Sequence, residues 1–551
     1  MSKQIFFNKE VHDRIRRGAK VVSDAVRLTM GPRGRNVAID KGYGSPTITN
    51  DGVSIAKEIT LEDKIENMGA EIIKEIAMKT NDEAGDGTTT ATVLACEMIE
   101  KGFAQVDLGV NAIGIRLGME EAKNRIIEEL KKISHPIKDK KNIIQVATIS
   151  AESEEIGKII ADTIDKVGID AVVTVEESEG VGIVSEVVDG MQLDKGYISP
   201  YMITNRERME SEMKNAYILI TDRKISTMVE IVPILEKLIQ SGKKELVIIA
   251  EDIDGEALTN IVLNRLRGVF NILGIKAPGY GDKKKELLQD IAILTGGKVI
   301  DSNLQEKLED TELTDLGVAN RIISNKDKTT IVGGKSKGQA LNNRIKELKN
   351  ELANTKATYE KDKIAERIAK LSGGVAVLKV GAGSESEMKY LKLKIEDAVN
   401  ATKAAIDEGI VVGGGVALVR VANNIRKQTI KSTHKLFEKE FNIGVDIVLQ
   451  ACEAPILQIA RNAGRTEDAM IIANDIKHLS GFAGYDAGKD EIVKDMIVAG
   501  IIDPVKVTRS AISNAVSATA ILLTTNSAII DSPKKEESKH TEMPGGMGMG
   551  Y

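Results

Sequence analysis

The stretch Gly85-Asp86-Gly87-Thr88-Thr89-Thr90 constrains this chain more than any other. Its two glycines let the backbone approach a ligand without a clash from a Cβ atom. Apolar residues at mixed three- and four-residue spacings follow and predict a helix over Ala91–Lys101. A helix start offers free N–H groups and a partial positive charge, which together bind phosphate. The stretch therefore predicts a phosphate site in which Asp86 holds Mg²⁺ through its waters.

A plainer interpretation is a capped helix start after a flexible turn. The run of threonines weakens it, because β-branched side chains lose rotamer freedom in a helix. The sequence contains neither G-x-x-x-x-G-K-[ST] nor G-x-G-x-x-G, which excludes a P-loop and gives no dinucleotide fingerprint. We therefore favour a nucleotide site of another kind.

Two further turns with Thr or Asp precede this stretch, at Thr29–Gly34 and Asn50-Asp51-Gly52. Asn-Asp-Gly is a turn signal whose simplest interpretation is a hairpin. The three turns together predict one site built from several loops. Late in the chain, Gly413-Gly414-Gly415 follows a predicted helix that carries Asp397. Such a triple glycine serves either close approach to a ligand or tight helix packing.

The middle third of the chain differs from both ends. Apolar runs at Tyr217–Thr221, Leu246–Ala250 and Phe270–Lys276 alternate with helical patterns at 227–240, 255–267 and 283–294. This alternation predicts an α/β layer with parallel strand pairing. A chain of 551 residues is too long for one core and should form two to four domains. We therefore expect an interrupted domain, with the α/β middle inserted between two ends that share the phosphate loops.

Composition excludes several classes of function. A net charge of −6 with 3% aromatic residues and no Trp argues against a nucleic-acid surface. Cys96 and Cys452 are the only cysteines, which excludes a disulfide scaffold or zinc site and fits a reducing compartment. The N-terminal residues Met1–Ile5 show no signal peptide. Ala511–Ile530 is apolar but broken by polar residues, so it predicts a buried helix and strand instead of a membrane span.

Ordered stretches along nearly the whole chain resemble group I chaperonins, the GroEL type. They are Thr29–Gly34, Asp51-Gly52, Gly85–Thr92, Gly196–Tyr201, Ile249–Leu258, Lys276–Asp282, Gly373–Gly381, Glu408–Leu418, Asp503–Ser510 and the terminal GGMGMG. The resemblance implies a multidomain α and α/β fold. Its parts are a mainly helical equatorial ATP-binding domain (1–132 and 408–526), a small α+β intermediate hinge domain (133–188 and 376–407), an α/β apical client-binding domain (189–375) and a disordered Gly/Met tail (527–551).

The same resemblance implies an ATP hydrolase coupled to protein folding. Its implied partners are non-native protein clients, a GroES-type co-chaperonin and further copies of the chain in two stacked sevenfold rings, with no nucleic acid and no membrane. We expect it in the bacterial cytoplasm, without a signal or transit peptide. The implied cofactors are ATP, Mg²⁺ and K⁺.

The resemblance also implies individual site residues. The nucleotide contacts are Thr29, Met30, Gly31, Pro32, Asn50, Gly52, Asp86, Gly87, Thr88, Thr89, Thr90, Gly414, Asp486, Ala487, Gly488 and Asp503. Asp86 is the implied magnesium ligand, while Asp51 and Asp397 are the implied acidic pair that activates water. Asp397 should arrive only when the hinge domain swings down. Asn50 departs from GroEL-type sequences, which commonly have Lys there, although group II relatives resemble this sequence at that position. We therefore expect altered nucleotide affinity or cooperativity and not a loss of ATP hydrolysis.

The implied client groove is a set of apolar side chains in the middle third. They are Tyr197, Tyr201, Met202, Val232, Leu235, Leu258, Val262 and Leu263. The helical spacing of Val232/Leu235 and of Leu258/Val262 is also typical of core residues. With the resemblance, we expect exposed faces that signal partners, and Met202 replaces a usual aromatic.

Two other functions compete with a folding machine. A chaperonin paralogue that holds or scaffolds clients would keep the apolar groove but hydrolyse ATP feebly, and Asn50 is the only hint in its favour. A metabolic kinase would need a base beside a small-substrate pocket, and the sequence of the inserted segment shows no such constellation.

Overall fold

The computed structural model describes residues 2–40, 46–137, 139–168, 172–178, 180–206, 208–279, 281–304, 306–336, 339–355, 358–428, 430 and 435–532. Most of the predicted Gly/Met tail and part of the segment around 423–442, where the resemblance is thin, lie outside these residues.

The N-terminal segment is mainly helical. Its elements are β1 (Lys3–Phe7), α1 (Asn8–Val26), β2 (Val37–Ile39), β3 (Thr47–Thr49), α2 (Gly52–Glu58), α3 (Lys64–Ala84), α4 (Thr88–Val106) and α5 (Ala112–Lys132). The apolar residues Val11, Ile15 and Val22, spaced for one helix face, are buried on α1. This face packs α1 against α3 and α4.

The prediction that Asn50-Asp51-Gly52 forms the turn of a hairpin is wrong. β2 and β3 do pair antiparallel, but Asp51 lies after β3 and caps α2 by accepting bonds from the amides of Val53 and Ser54. The same short acidic side chain suits a turn and a helix N-cap, so the sequence signal was ambiguous. The helix predicted from Ala91 begins earlier, at Thr88.

The next segment is small and mixed. Its elements are α6 (Lys140–Ala151), α7 (Glu154–Val167), β4 (Val172–Glu177), β5 (Gly182–Val188) and β6 (Gly190–Leu193). β6 already belongs to the sheet of the middle segment, whereas β4 and β5 do not.

The middle segment is an α/β layer. Its elements are β7 (Ser211–Thr221), β8 (Lys224–Ile225), α8 (Val232–Gln240), β9 (Glu245–Ala250), β10 (Asp252–Ile253), α9 (Gly255–Leu266), β11 (Asn271–Lys276), α10 (Asp282–Thr295), β12 (Val299–Ile300), β13 (Gly317–Ser324), β14 (Thr329–Gly334), α11 (Ala340–Asn354) and α12 (Thr358–Ser372). The sheet order is β11-β9-β7-β13-β14-β6. The predicted parallel pairing of β7, β9 and β11 is confirmed, while β13, β14 and β6 pair antiparallel.

The chain then returns to the small sheet. β15 (Val375–Gly381) lies between β4 and β5, parallel to the first and antiparallel to the second, and α13 (Glu385–Glu408) follows. The strand therefore joins residues on both sides of the middle segment in one sheet.

The C-terminal segment is again mainly helical. Its elements are β16 (Ile410–Val412), α14 (Val416–Arg426), α15 (Glu438–Ala451), α16 (Ala454–Asn462), α17 (Ala469–His478), β17 (Gly484–Asp486), β18 (Glu491–Val493), β19 (Ile502–Pro504), α18 (Val505–Leu522) and β20 (Ser527–Asp531). The helix and strand predicted within Ala511–Ile530 are confirmed. β17 pairs antiparallel with β18. The disorder predicted from residue 527 is wrong for β20, which pairs with β1.

One helical stretch in the described residues, Glu438–Asn462, is long and apolar enough to cross a membrane by those criteria alone. However, 78% of its most apolar part is buried inside the protein. Within it, α15 packs against α4, α5 and α14. These contacts are typical of a core helix.

Three hydrophobic cores organise the described residues. The terminal core joins buried residues from Val11 to Leu130 with others from Val411 to Ala528. The middle core runs from Met191 to Leu371, and the connecting core joins Ala147–Val175 with Ala376–Val399. The two ends of the chain thus share one interior, around an inserted middle. The exact domain boundaries stay a prediction.

Candidate functional site

The three glycine turns of the N-terminal segment meet at the start of α4. A Cβ atom on Gly52 would lie 2.6 Å from Thr89 Oγ1 and 2.8 Å from Thr88 Oγ1. Thr29 Oγ1 lies 3.4 Å from Thr89 Oγ1. Only glycine fits at position 52, and its backbone therefore lies directly against the first turn of α4.

The first turn of α4 has no side-chain cap. Gly87 occupies the N-cap position with φ at 81°, and its amide donates to Asp86 Oδ1 at 2.5 Å. The plain interpretation of this stretch as a side-chain-capped helix start is therefore wrong. An uncapped helix N-terminus next to a carboxylate suits an anionic ligand that arrives with a cation.

A second helix starts in the same way nearby. Gly415, with φ at 77°, is the N-cap of α14 and again provides no side-chain bond. The adjoining Gly414 amide donates to the Asp503 carboxylate, and a Cβ on Gly413 would lie 3.0 Å from Asp503 Oδ1. The triple glycine is thus packed around the half-buried Asp503, the central residue of β19.

The turn at Asp486-Ala487-Gly488 joins the first glycine turn. Asp486 Oδ1 accepts the amides of Gly488 at 2.9 Å and Lys489 at 3.2 Å, and both Asp486 and Ala487 are buried. Arg33 donates to the Gly488 carbonyl at 2.9 Å, beside Gly31 and the exposed Pro32. The buried Met30 is anchored through its carbonyl, which accepts from Asn462 Nδ2 at 2.9 Å.

Asp51 is held in a fixed orientation. Its carboxylate accepts bonds from the amides of Val53 at 3.3 Å and Ser54 at 3.0 Å, and from Ser54 Oγ at 2.5 Å. Capping α2 in this way locks the rotamer of Asp51 before any ligand binds.

Asp397 lies among these carboxylates although it comes from α13. Removal from water and repulsion by Asp51 and Asp86 raise its pKa well above the ordinary range of a carboxyl group. Asp397 is half-buried on α13 and is therefore not a fully solvated acid. The helix meets the loop before α4 closely, because a Cβ on Gly85 would lie 2.3 Å from Asn400 Cβ.

The other carboxyls of the cleft show the same crowding. Burial, together with repulsion by Asp86, raises the pKa of Asp503 to about 7. Burial and the charge of Asp51 raise the pKa of Asp86, against the opposing Gly87 amide. Like charges held together out of water create a strong demand for a cation.

The crowded carboxylates suit a Mg²⁺ ion that is bound by phosphate oxygens as well as by the protein. Among the described residues, no three His, Cys, Asp or Glu side chains come close enough to form a chelate on their own. Mg²⁺ commonly binds through one or two carboxylates plus phosphate oxygens and waters. Asp86, beside an uncapped helix start, suits that mode of binding.

Sequence reasoning missed one cation. Lys394 is buried on α13, donates to Glu152 Oε1 at 2.6 Å, and counteracts the rise in pKa of both Asp86 and Asp397. Its spacing of three residues before Asp397 places both on one helix face, which was the available signal. Asn50, the predicted departure, is half-buried between β3 and Asp51.

The comparison with known families fits this geometry. The model of the TCP-1/cpn60 chaperonin family matches residues 22–533. The chain belongs to this family. Membership gives the chaperonin a role in protein folding, with protein clients and a ring assembly as the family's general properties. The match spans both halves of the terminal core and the inserted middle.

The predicted client residues of this chaperonin divide into two sets. Tyr201, Leu263 and Val232 are exposed, at 70%, 43% and 38% of their surface, and Leu258 and Val262 are half-buried. The expected exposure is wrong for Tyr197, Met202 and Leu235, which are buried in the middle core. Met202 packs against β11, where its Sδ accepts the Gly274 amide at 3.2 Å.

Other exposed apolar side chains extend the same face. α9 packs against the turns Pro200–Met202 and Met228–Glu230, and Val229 and Leu266 are each 69% exposed. We name Tyr201, Val229, Val232, Leu263 and Leu266 the apolar face. Val229 and Leu266 were not predicted, although they continue the three- and four-residue spacings of Val232 and of Leu258/Val262.

Proposed function

We propose that this chaperonin is a group I, GroEL-type folding machine that hydrolyses ATP. In this proposal it captures non-native proteins on the apolar face and encloses them under a GroES-type co-chaperonin lid. The observation that carries the proposal is the presence of Asp397, from the connecting core, beside Asp51 and Asp86 of the terminal core.

The cleft residues divide the chemistry among themselves. The uncapped start of α4, with Thr88, Thr89 and Thr90, would bind the phosphates. Asp86 would hold Mg²⁺, which neutralises phosphate charge when bound, and K⁺ would supplement it. Phosphoryl transfer depends mainly on positioning and charge neutralisation.

Asp51 and Asp397 would act on the attacking water. Asp51 is locked by α2 and orients it, whereas Asp397 has a raised pKa and accepts its proton. A carboxylate of raised pKa is a stronger base than an ordinary one. A Mg²⁺ ion bound close by would lower the pKa of Asp397 again and so favour its ionised form.

Hydrolysis would be gated by the contact between cores. Because Asp397 lies on α13, separating α13 from the Gly85–Asp86 loop would remove the base and stop turnover while nucleotide stays bound. The close approach of Asn400 to Gly85 supports such a gate, since α13 meets the loop before α4 directly.

The apolar face would bind clients weakly one subunit at a time. Each side chain contributes about 1.5–3 kcal/mol at best when fully buried. A ring of subunits would bind far more tightly through effective concentration, and two stacked sevenfold rings are part of the proposal. Unpaired Cys96 and Cys452 support a reducing compartment, for which we propose the bacterial cytoplasm.

A second candidate is a client-holding paralogue with feeble turnover. Asn50 favours it, because a cation expected beside the phosphates is absent from that position. The two candidates share the apolar face and differ in whether ATP drives recovery of the client.

Refolding of a denatured enzyme separates the candidates. The assay would contain this protein, a GroES-type lid and ATP, beside Asp397→Ala and a control, Glu385→Gln, an exposed acid at the start of α13. We expect recovery with the wild type and the control, and capture without recovery with Asp397→Ala. Capture without ATP-dependent recovery by the wild type would instead establish the paralogue.

A further inference from the structure

One side chain of the middle segment grips α13 beside Asp397. Arg208 Nη1 donates to Glu396 Oε1 at 2.7 Å, and Nη2 donates to Glu396 Oε2. This fork-to-fork pair matches both donors to both oxygens, which fixes the direction as well as the distance. Glu396 immediately precedes Asp397 in the chain.

Arg208 is presented by a closed loop. The backbones of Asn205 and Glu210 bond to each other at 2.9 Å and 3.1 Å across the loop, and Asn205 Oδ1 accepts the Arg208 amide at 3.1 Å. The loop directly follows the turn that carries the exposed Tyr201. The loop that carries Arg208 therefore follows the apolar face along the chain, while the Arg208 guanidinium contacts α13.

The pair is partly shielded from solvent. The side chains of Arg208 and Glu396 are 31% and 21% exposed. Burial disfavours the charged guanidinium, but the Glu396 carboxylate outweighs it and raises the pKa of Arg208, with smaller contributions from Glu210 and Asp397. Without Arg208, Glu396 would add an uncompensated negative charge next to the crowded acids of the cleft.

We infer that Arg208 is a positioning residue that holds α13 in the orientation that presents Asp397 to the nucleotide cleft. The Arg208–Glu396 pair then couples the orientation of the apolar face to ATP hydrolysis. A displacement of the middle core that breaks the fork withdraws the support of Asp397. This inference rests on the proposed function, because it assigns Asp397 a role in hydrolysis.

The structure contains a matched comparison for this pair. Arg321 of β13 lies 2.8 Å from Glu176 of β4, so it also bridges the middle and connecting segments. That bridge ends on β4 of the small sheet, whereas the Arg208–Glu396 pair ends on α13 itself. Loss of the Arg321–Glu176 bridge therefore weakens the contact between segments and leaves the Arg208–Glu396 pair in place.

The test measures ATP hydrolysis and nucleotide affinity of the assembled full-length protein. The variants are Arg208→Ala, the conservative Arg208→Lys, the control Glu176→Gln, and the charge exchange Arg208→Glu with Glu396→Arg. A non-hydrolysable ATP analogue gives the dissociation constant. Each variant is first checked for assembly, and Arg208→Lys serves as the working substitution if Arg208→Ala does not assemble.

We expect Arg208→Ala to lower kcat about three- to tenfold, with the analogue's dissociation constant within about twofold of wild type. Glu176→Gln should stay within about twofold in both quantities, and the charge exchange should recover kcat relative to either of its single variants. An unchanged kcat in Arg208→Ala, an equal loss in Glu176→Gln, or no recovery in the exchange would overturn the inference.

The same assay distinguishes failure of the inference from failure of the proposed function. A wild type that does not hydrolyse ATP contradicts both. Hydrolysis that is abolished by Asp397→Ala but indifferent to Arg208→Ala supports the proposed function and contradicts only the positioning role.

Discussion

The proposed nucleotide cleft and the apolar face differ in how their side chains are held. In the cleft, Asp51, Asp86 and Asp503 each accept bonds from backbone amides, so their positions are set before a ligand arrives. On the apolar face, Tyr201 and Leu263 project into solvent from short elements. A fixed polar site suits one defined ligand, whereas exposed apolar side chains suit many clients of differing shape. The chain thus holds the acids of the cleft in fixed positions and leaves the apolar face able to bind clients of differing shape.

The largest expected effect is a loss of ATP hydrolysis in the cleft without a change in client binding at the apolar face. Asp397→Ala should lower the rate of phosphate release about 10²- to 10³-fold, because it removes a proton acceptor from the cleft. Capture of a denatured protein without ATP should stay unchanged. A phosphate-release assay with Glu385→Gln as control measures the loss. A rate within about threefold of wild type would show that Asp397 does not act on the attacking water.

The second prediction breaks the face and leaves the cleft intact. Tyr201→Ser combined with Leu263→Ser should weaken client capture about tenfold or more, since each exposed side chain buries apolar area on binding. ATP hydrolysis and the melting temperature should change little. Binding of a fluorescent denatured protein gives the affinity.

A buried neighbour sharpens that comparison. Leu235→Ala should lower the free energy of unfolding by about 2–4 kcal/mol, because the side chain is buried in the middle core. Its effect on capture should be smaller than that of the exposed pair. Strongly reduced capture at unchanged stability would mean that Leu235 contacts clients directly.

The third prediction concerns the ionisation of Asp503 in the cleft and its effect on stability. The pKa of Asp503, about 7 in the folded protein, exceeds its unfolded value, so its cost to the stability of the nucleotide-free fold builds up between the two values and is complete above pH 7. That penalty disappears as the pH falls towards about 4, the unfolded value. Asp503→Asn should therefore raise stability at pH 8 by about 1–3 kcal/mol, and less at lower pH.

Thermal melts between pH 5 and pH 8 test this sign. The control is Asp475→Asn, which changes an exposed acid on α17. A gain for Asp503→Asn that grows on acidification would contradict the assigned cause. Nucleotide binding should weaken in the same variant, since Asp503 holds the Gly414 turn.

The smallest expected effect comes from Asn50. Asn50→Lys should shift the ATP concentration for half-maximal hydrolysis about two- to fivefold, because it adds a partly solvated cation near the phosphates. A titration with ATP measures the shift. An unchanged ATP dependence would show that position 50 does not tune phosphate electrostatics in this chain.

More of the cleft than of the apolar face could be predicted from the sequence, and the reason is physical. Glycine turns and helix starts are local, so the positions around Thr29, Gly52 and Gly87 follow from nearby residues. Exposure is not local: Leu235 and Val232 share one short helix, but packing in the middle core buries only the first. Periodicity alone gives both residues the same face.

Short strands and contacts between residues far apart in the chain are the other features that the sequence did not predict. β17 and β20 are three and five residues long and pair with strands that their own sequences do not announce. Arg208 and Lys394 gain their importance from partners 188 and 242 residues away. The Asp51 signal was ambiguous because one residue type serves both a turn and a cap.

The most direct test of the account asks whether the cleft controls the face. A labelled denatured protein is bound to the wild type without nucleotide, and its release is followed after ATP is added. We predict that ATP accelerates release about tenfold or more, because the nucleotide favours a state in which the apolar face is less available. An unchanged release rate, in a protein that demonstrably hydrolyses ATP, would contradict the coupling of the two regions.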